Sequence, residues 1–284
     1  MGPRISAVVN TRNEERNLPF ALGTVRPWVD EIVVVDMHSE DRTVEIARSF
    51  GAKVFTHERS DVVEPARAYA IAQATGEWIL LLDADEMVPV ALSRRLREIA
   101  RRDEADVVRI PRVNHLLGAP LGHTGWGPRQ DRHERFFKPG LLHASDRIHA
   151  SLTPDPSARI LDLEYAPGRA LVHFNYVDVG HFLEKLNRYT SVEALQSFER
   201  GGAEPTGRRT LMRATKEFLR RYVKLRGYRD GWRGFHLSLF MAYYHVATDA
   251  KLKELHAGGG RDAVLATYRA EAERILEEYG AAAP

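Results

Sequence analysis

Two carboxylates one residue apart, Asp83 and Asp85, close the apolar run Trp78-Ile79-Leu80-Leu81-Leu82, with Ala84 between them. The two carboxylates are expected to point to different sides of the strand end until the chain turns. One carboxylate can then face a ribose while the other faces a cation. A hard divalent ion such as Mg2+ or Mn2+ takes few carboxylates and completes its shell with water and phosphate oxygens. Bound so, it neutralises a diphosphate and makes it a better leaving group. The Asp-x-Asp triplet is common in surface turns, so its weight depends on the elements around it.

Those elements alternate strand and helix over the first hundred residues. Ile5 to Val9 is a short apolar run ending in Asn10-Thr11, and Glu31 to Val35 is a second, ending in Asp36. Lys53 to Thr56 and Trp78 to Asp83 give a third and a fourth strand. Helical spacing fills the gaps, around Leu18, Ala21, Leu22 and Val25, then Val44, Ala47 and Phe50, then Ala68, Ile71 and Ala72. Near-continuous apolar strands alternating with helices mark an α/β fold with a mostly parallel sheet buried on both faces. Ligands of such sheets bind at the carboxyl ends of the strands. Right-handed crossovers bring Asn10, Thr11, Asp36 and Asp83 to one edge. The crevice expected there is nucleotide-sized and lacks a Gly-rich phosphate loop.

Beyond Pro89 a polar helix is expected to about Arg102, and a strand over Val107 to Val113. An irregular stretch follows from His115 to Gly140, rich in Gly, Pro, His and Arg. Long irregular stretches inside compact domains are more often functional than idle. Short strands are expected at Arg135 to Lys138 and Ala170 to Phe174. From Val179 the chain reads as helical to its end.

Composition limits the chemistry. The 284 residues contain no cysteine, which excludes disulfides, thiolate metal sites and cysteine nucleophiles. The formal net charge is only +2, and no nucleic-acid-binding motif accompanies it, so no nucleic-acid partner is expected. No apolar leader precedes Ile5, and the longest late apolar stretch, Phe235 to Ala247, is too short to span a bilayer. These features predict a cytoplasmic protein.

Three segments together resemble glycosyltransferase family 2, in the branch of bacterial lipopolysaccharide core glucosyltransferases. They are Ile5-Ser6-Ala7-Val8-Val9-Asn10-Thr11-Arg12-Asn13-Glu14-Glu15, Val35-Asp36-Met37-His38-Ser39-Glu40-Asp41, and Leu82-Asp83-Ala84-Asp85-Glu86. The resemblance extends to Val172-His173-Phe174-Asn175-Tyr176 and Lys185-Leu186-Asn187-Arg188-Tyr189. It implies a GT-A nucleotide-diphospho-sugar transferase fold, with a catalytic domain over 1–176 and a helical region over 177–284. Within the first, 1–113 would bind the nucleotide and 114–176 would face the acceptor. The implied reaction is inverting transfer of a sugar from a nucleotide-diphosphate donor, by default a UDP-sugar. The implied acceptor is a cell-envelope glycan or a lipid-linked glycan.

Carried over by position, Thr11, Asn13 and Glu14 would line the nucleotide pocket. Asp36 would accept from a pyrimidine base, Asp83 would sit near the ribose or sugar with Ala84 beside it, and Asp85 would hold Mg2+ or Mn2+. His173 would reach the metal or the diphosphate, His149 the sugar or acceptor, and Arg135 the diphosphate oxygens. Read as local structure, Asn13 and Glu14 could cap the first helix, Asp36 the next loop, and Glu86 could be a solvated helix residue.

Inverting transfer needs a carboxylate to take the acceptor's proton. In the resembled branch a His-Glu pair supplies it, but this chain reads Ile148-His149-Ala150. The departure leaves open another base, with Asp131, Glu134 and Asp146 as candidates. It equally leaves open a substitution introduced to trap a complex, or a sugar-nucleotide-binding homologue that lost its base. A nucleotidyltransferase is a further alternative, disfavoured by the missing Gly-rich loop.

Between Arg208 and Arg233 cations crowd against only Glu217 and Asp230. Leu211, Phe218, Leu219, Tyr222 and Leu225 recur at helix-like spacing there. A basic amphipathic helix of this kind can lie on the inner face of an anionic membrane. Phe235, Leu237, Leu239, Phe240, Tyr243 and Tyr244 are expected to form core or a self-association surface.

Overall fold

A computed structural model describes residues 2–58, 64–143, 153–258 and 260–281. Strand β1 (Ile5–Thr11), helix α1 (Leu18–Val25), β2 (Glu31–Asp36), α2 (Thr43–Ser49), β3 (Lys53–Thr56), α3 (Glu64–Ala72) and β4 (Trp78–Asp83) alternate as expected. The chain continues through β5 (Glu86–Met87), α4 (Val90–Arg102), β6 (Val107–Leu116), β7 (Ala119–Pro120) and β8 (Arg132–Phe137). Four short strands follow: β9 (Leu142–His143), β10 (Thr153–Pro154), β11 (Ile160–Asp162) and β12 (Leu171–Phe174). The remainder is helical, with α5 (Val179–Glu199), α6 (Gly207–Leu219), α7 (Gly231–His256) and α8 (Arg261–Ala281). A π-helical turn (Arg220–Lys224) extends α6, and a 3-10 turn (Gly227–Asp230) precedes α7.

The main sheet runs in the order β3-β2-β1-β4-β8-β6-β12-β5. β1 pairs in parallel with β2 and β4, and β2 with β3, while β8 enters antiparallel between β4 and β6. The sheet is therefore mixed and mostly parallel, flanked by helices, with helices filling the C-terminal region. Beyond Leu225 the chain re-enters the sheet-containing unit. The compact units are Met1–Val179 with Leu225–Gly234, and Gly180–Lys224 with Phe235–Pro284.

The strands lie where they do because both sheet faces are covered. Val9, Leu80 and Leu82 pack with Leu18 and Leu22 of α1 and Leu92 and Leu96 of α4. Val8, Val33, Ile79 and Leu81 pack on the opposite side with Ala70 of α3 and Phe137 of β8. Each of the Val, Leu, Ile and Phe side chains contributes roughly 1.5–3 kcal/mol by leaving water. The ring of Trp78 stacks on Phe136, centroids 4.5 Å apart, which seats β8 against β4.

Register decides what the sheet presents. Asn10 pairs with Asp83, and Thr11 with Asp36, so the polar strand ends converge on one edge. β6 runs three residues past its expected end at Val113. Its extension places Asn114 opposite His173 of β12, and His173 in turn lies opposite Glu86 of β5. β8 begins at Arg132, three residues before the expected start.

The irregular stretch between β7 and β8 is held by the 3-10 turn. Asp230 accepts hydrogen bonds from the Gly122 and His123 amides at 3.0 and 3.1 Å and from the Thr124 hydroxyl at 2.6 Å. Thr124 takes a left-handed backbone, φ +63°, to make this turn. Gly127 is required by proximity, because a Cβ there would lie 2.0 Å from the Gly122 carbonyl oxygen.

Candidate functional site

The edge formed by β1 and β2 has its loops tied to each other. Asn13 has φ +54°; its amide donates to Ser39 Oγ, and its Oδ1 accepts from the Glu40 amide, both at 2.8 Å. The Glu14 amide donates to Thr43 Oγ1, and Glu14 Oε2 accepts from Asn17 Nδ2. The N-cap position of α1 falls on Asn17, not on Asn13 or Glu14. Asp36 holds its own loop, accepting from the Ser39 amide at 3.0 Å and hydroxyl at 2.5 Å. The alternative reading of Asp36 as a loop residue thus describes its present bonds, although each oxygen keeps a second lone pair. Asn10 donates through Nδ2 to the Ala66 carbonyl, leaving its buried Oδ1 and the buried Thr11 hydroxyl without partners. Buried polar atoms of this kind call for a partner, since leaving them unmet costs about 1–3 kcal/mol each.

Next to this edge, Asp83 is clamped between two guanidinium groups. Arg67 Nη2 lies 2.8 Å from Oδ1, and Arg135 Nη2 lies 2.5 Å from Oδ2. Burial alone would favour protonation, but Arg135 and Arg67 together hold the carboxyl well below its usual range. The main-chain amide of Asp83 donates to Glu86 Oε2 at 3.0 Å. Glu86 is not solvated. It is fully buried in β5, and its Oε1 accepts from Arg112 at 3.0 Å and from Arg135 at 3.2 Å. Arg135 was expected at a diphosphate; here its guanidinium spans Asp83 and Glu86. Burial opposes its charge, yet those two carboxylates raise its pKa.

Asp85 meets different partners because β4 ends at Asp83 and Asp85 lies in the turn that follows; on a continuing strand two residues separated by one would share a side, contrary to the expectation. Asp85 Oδ2 lies 3.3 Å from Nε2 of the buried His173. The opposite ring atom, Nδ1, lies 2.6 Å from Asn114 Oδ1. The Asn114 amide is oriented by its own donors, which reach Asp131 Oδ2 at 2.6 Å and the Trp126 carbonyl at 2.8 Å. With Oδ1 so fixed as an acceptor, the network assigns the proton to Nδ1 of His173. With the ring neutral, Nε2 presents its lone pair toward Asp85, an arrangement that could hold a cation. The donor set, one imidazole nitrogen and one carboxylate, suits Mg2+ or Mn2+ completed by phosphate and water oxygens. Among the described residues no group of three or more His, Cys, Asp or Glu could hold a metal ion.

The candidate bases fare differently. Asp131 accepts from Arg112 Nε at 2.9 Å, His133 Nε2 at 2.7 Å and Asn114. Burial would raise its pKa, but His133 and Arg112 overcome it and depress the carboxyl strongly, which disfavours proton uptake. Glu134 is paired with Arg109 at 2.7 Å. Asp146, His149 and Ala150 lie outside the described residues. Trp126 is half-buried and contributes its carbonyl to Asn114, while Arg129 lies over the Tyr165 ring at 6.0 Å.

Arg67, Arg112 and Asn114 were not singled out in the sequence. Asn114 is a buried polar residue near the carboxyl end of β6, but the strand expected to end at Val113 stops one residue short of it and three short of the observed end. Nothing in the helical spacing of α3 marks Arg67.

The family described as Glycosyl transferase family 2 matches residues 6–149. A TPR repeat-containing protein of Synechococcus elongatus is 33% identical over 174 residues, covering 61% of this chain. The aligned region is only 42% of that protein's length. The lipopolysaccharide core biosynthesis glycosyltransferase LpsC of Rhizobium meliloti is 28% identical over 260 residues, covering 89% of this chain and 93% of that protein. Among solved structures, S. aureus TarS residues 1–349 in complex with UDP aligns over 91% of this chain and 93% of that one, at 16% identity and a TM-score of 0.45.

Proposed function

The chain belongs to glycosyl transferase family 2, a glycosyltransferase with the GT-A fold, and from that premise we propose inverting, metal-dependent transfer from a UDP-sugar to a cell-envelope or lipid-linked glycan. The observation that carries the proposal is the Asp85–His173 pair. It is oriented by Asn114 and lies beside the edge of Asn10, Thr11, Asp36 and Asp83. That LpsC is a lipopolysaccharide core biosynthesis glycosyltransferase supports the acceptor class.

Each residue has a task that its position suits. The orphaned Asn10 Oδ1 and Thr11 hydroxyl, with the spare lone pairs of Asp36, would read a pyrimidine base. Asp83, held by Arg67 and Arg135, would accept from the ribose or sugar hydroxyls without protonating. Asp85 and His173 Nε2 would hold Mg2+ or Mn2+, which when bound neutralises the leaving diphosphate. An acceptor hydroxyl attacks the anomeric carbon from the face opposite the diphosphate. The new C–O bond forms as the bond to diphosphate breaks, and the hydroxyl proton passes to a base.

Isothermal titration with UDP, GDP and dTDP, each with and without Mn2+, tests the reading. UDP binding strengthened by Mn2+ is expected; no metal-dependent binding of any of the three rejects it. A second reading, donor binding without turnover, draws on the depressed Asp131, the ion-paired Glu134 and the absence of a carboxylate at position 150. Comparing turnover of the unmodified chain with Ala150→Glu separates the two. Activity of the unmodified chain excludes the second reading, and activity gained only in the Ala150→Glu variant supports it.

A further inference from the structure

The helical unit carries a surface that the donor site does not use. Residues 207–224, comprising α6 and its π-helical turn, hold seven Arg and Lys against Glu217 alone. One side of this segment is engaged within the unit. Ala214 is buried, and Thr210 and Arg213 both bond Asp249 of α7, at 2.8 and 2.5 Å. Glu217 is spent on Arg220 and Arg221, at 2.7 and 2.6 Å.

The other side is apolar and points outward. Leu211 is 68% exposed, Met212 62%, Leu219 51% and Val223 56%. At about 100° per residue, Leu211, Met212 and Leu219 fall within one arc of α6, opposite the arc of Arg213 and Glu217. Arg208, Arg209, Lys216 and Lys224 are exposed along the same segment. The apolar surface continues onto α7 through Phe235, whose ring meets Phe218 at 6.0 Å and Tyr222 at 5.6 Å. Leu239 and Tyr243, one and two turns further along α7, are exposed as well.

We propose that this face docks on an anionic lipid bilayer, with Leu211, Met212, Leu219 and Val223 entering the headgroup boundary and the flanking cations meeting lipid phosphates. Charge complementarity selects this occupant. The segment's single carboxylate is neutralised from within, which leaves an excess of cations around long aliphatic side chains. The helix lies on the surface and does not cross it, because among the described residues no helix is long and apolar enough to span a membrane. The inference depends on this face alone and holds or fails independently of what the donor site binds.

Co-sedimentation of the full chain with vesicles tests it. Vesicles of phosphatidylcholine with about one-third phosphatidylglycerol should bind the protein, phosphatidylcholine alone should not, and high salt should release it. Arg209→Glu with Lys216→Glu should weaken vesicle binding at least about tenfold. Met212→Gln with Leu219→Gln should weaken it comparably by removing the inserted groups. Thermal melts confirm that each variant is folded, and titration with UDP and Mn2+ reads the donor site separately. Equal binding to both vesicle types, or variants that bind like the parent chain, would overturn the proposal. So would sedimentation velocity showing that Met212→Gln with Leu219→Gln dissolves a dimer while the parent chain ignores vesicles, which would assign the face to a second copy of this chain.

Discussion

His173 Nε2 stands 3.3 Å from Asp85 Oδ2, while Nδ1 of the same ring is held 2.6 Å from Asn114 Oδ1. One imidazole is thereby oriented from β6 and presented to the carboxylate that follows β4. Asn114 touches the ring and not the carboxylate, and through the ring it decides which nitrogen carries the proton.

Asn114→Ala should therefore reduce Mn2+ affinity in the presence of UDP by about 10–100-fold, the usual cost of losing a partner that orients a metal-ligating histidine. Electron paramagnetic resonance titration of Mn2+ measures this. Nitrogen chemical shifts of His173 without metal should change from a single Nδ1–H tautomer to a mixture. Unchanged shifts would refute the orienting role.

Arg135→Ala leaves Asp83 and the fully buried Glu86 short of a cation. Removing one partner of a buried pair costs about 3–5 kcal/mol. Urea unfolding should show a loss of that size. Arg135→Lys should recover only part of it, because a lysine cannot span both carboxylates in a planar fork. Full rescue by lysine would show that charge alone matters there.

Acid should weaken the fold partly through Glu31. Burial would raise its pKa, but hydrogen bonds from Lys53, Ser6 and Thr75 outweigh it and lower the carboxyl to about 2. A folded pKa below the ordinary value of 4.5 gives stability that is complete above about pH 4.5 and is lost as pH falls toward 2. In melting temperatures measured across this window, Glu31→Gln should lower the plateau at neutral pH and flatten the acid limb. An acid limb as steep as the parent's would assign the transition to other carboxylates.

Gly127→Ala forces its Cβ against the Gly122 carbonyl oxygen and should destabilise by about 1–3 kcal/mol, as overpacking does. Because the neighbouring Trp126 carbonyl orients Asn114, Mn2+ affinity with UDP should fall too. A variant that loses stability but keeps full metal affinity would uncouple the loop from the site.

Much of the architecture was legible because it rests on local pattern. The short, β-branched apolar runs at Ile5, Ile32 and Ile79 alternate with helical segments and so read as buried strands, and their polar ends named Asn10, Thr11, Asp36 and Asp83. Strand geometry by itself would put Asp83 and Asp85 on one side; the turn after Asp83 is what sends them to different partners. The excess of cations along α6 was legible from residue type, but the outward exposure of Leu211, Met212 and Leu219 was not.

The partners themselves were not legible, because they come from distant segments. Arg67 and Arg135 reach Asp83 across separations of 16 and 52 residues, and Arg112 reaches Glu86 across 26. Residue type alone said that Asp83 could face a ligand; only packing showed it held between two guanidinium groups. The sequence by itself determined which side chains arrive at the carboxyl edge of the sheet, since backbone periodicity governs that. Tertiary structure decided their protonation, tautomer and orientation, since those depend on which charges and dipoles lie within a few ångströms once strands remote in the chain become neighbours.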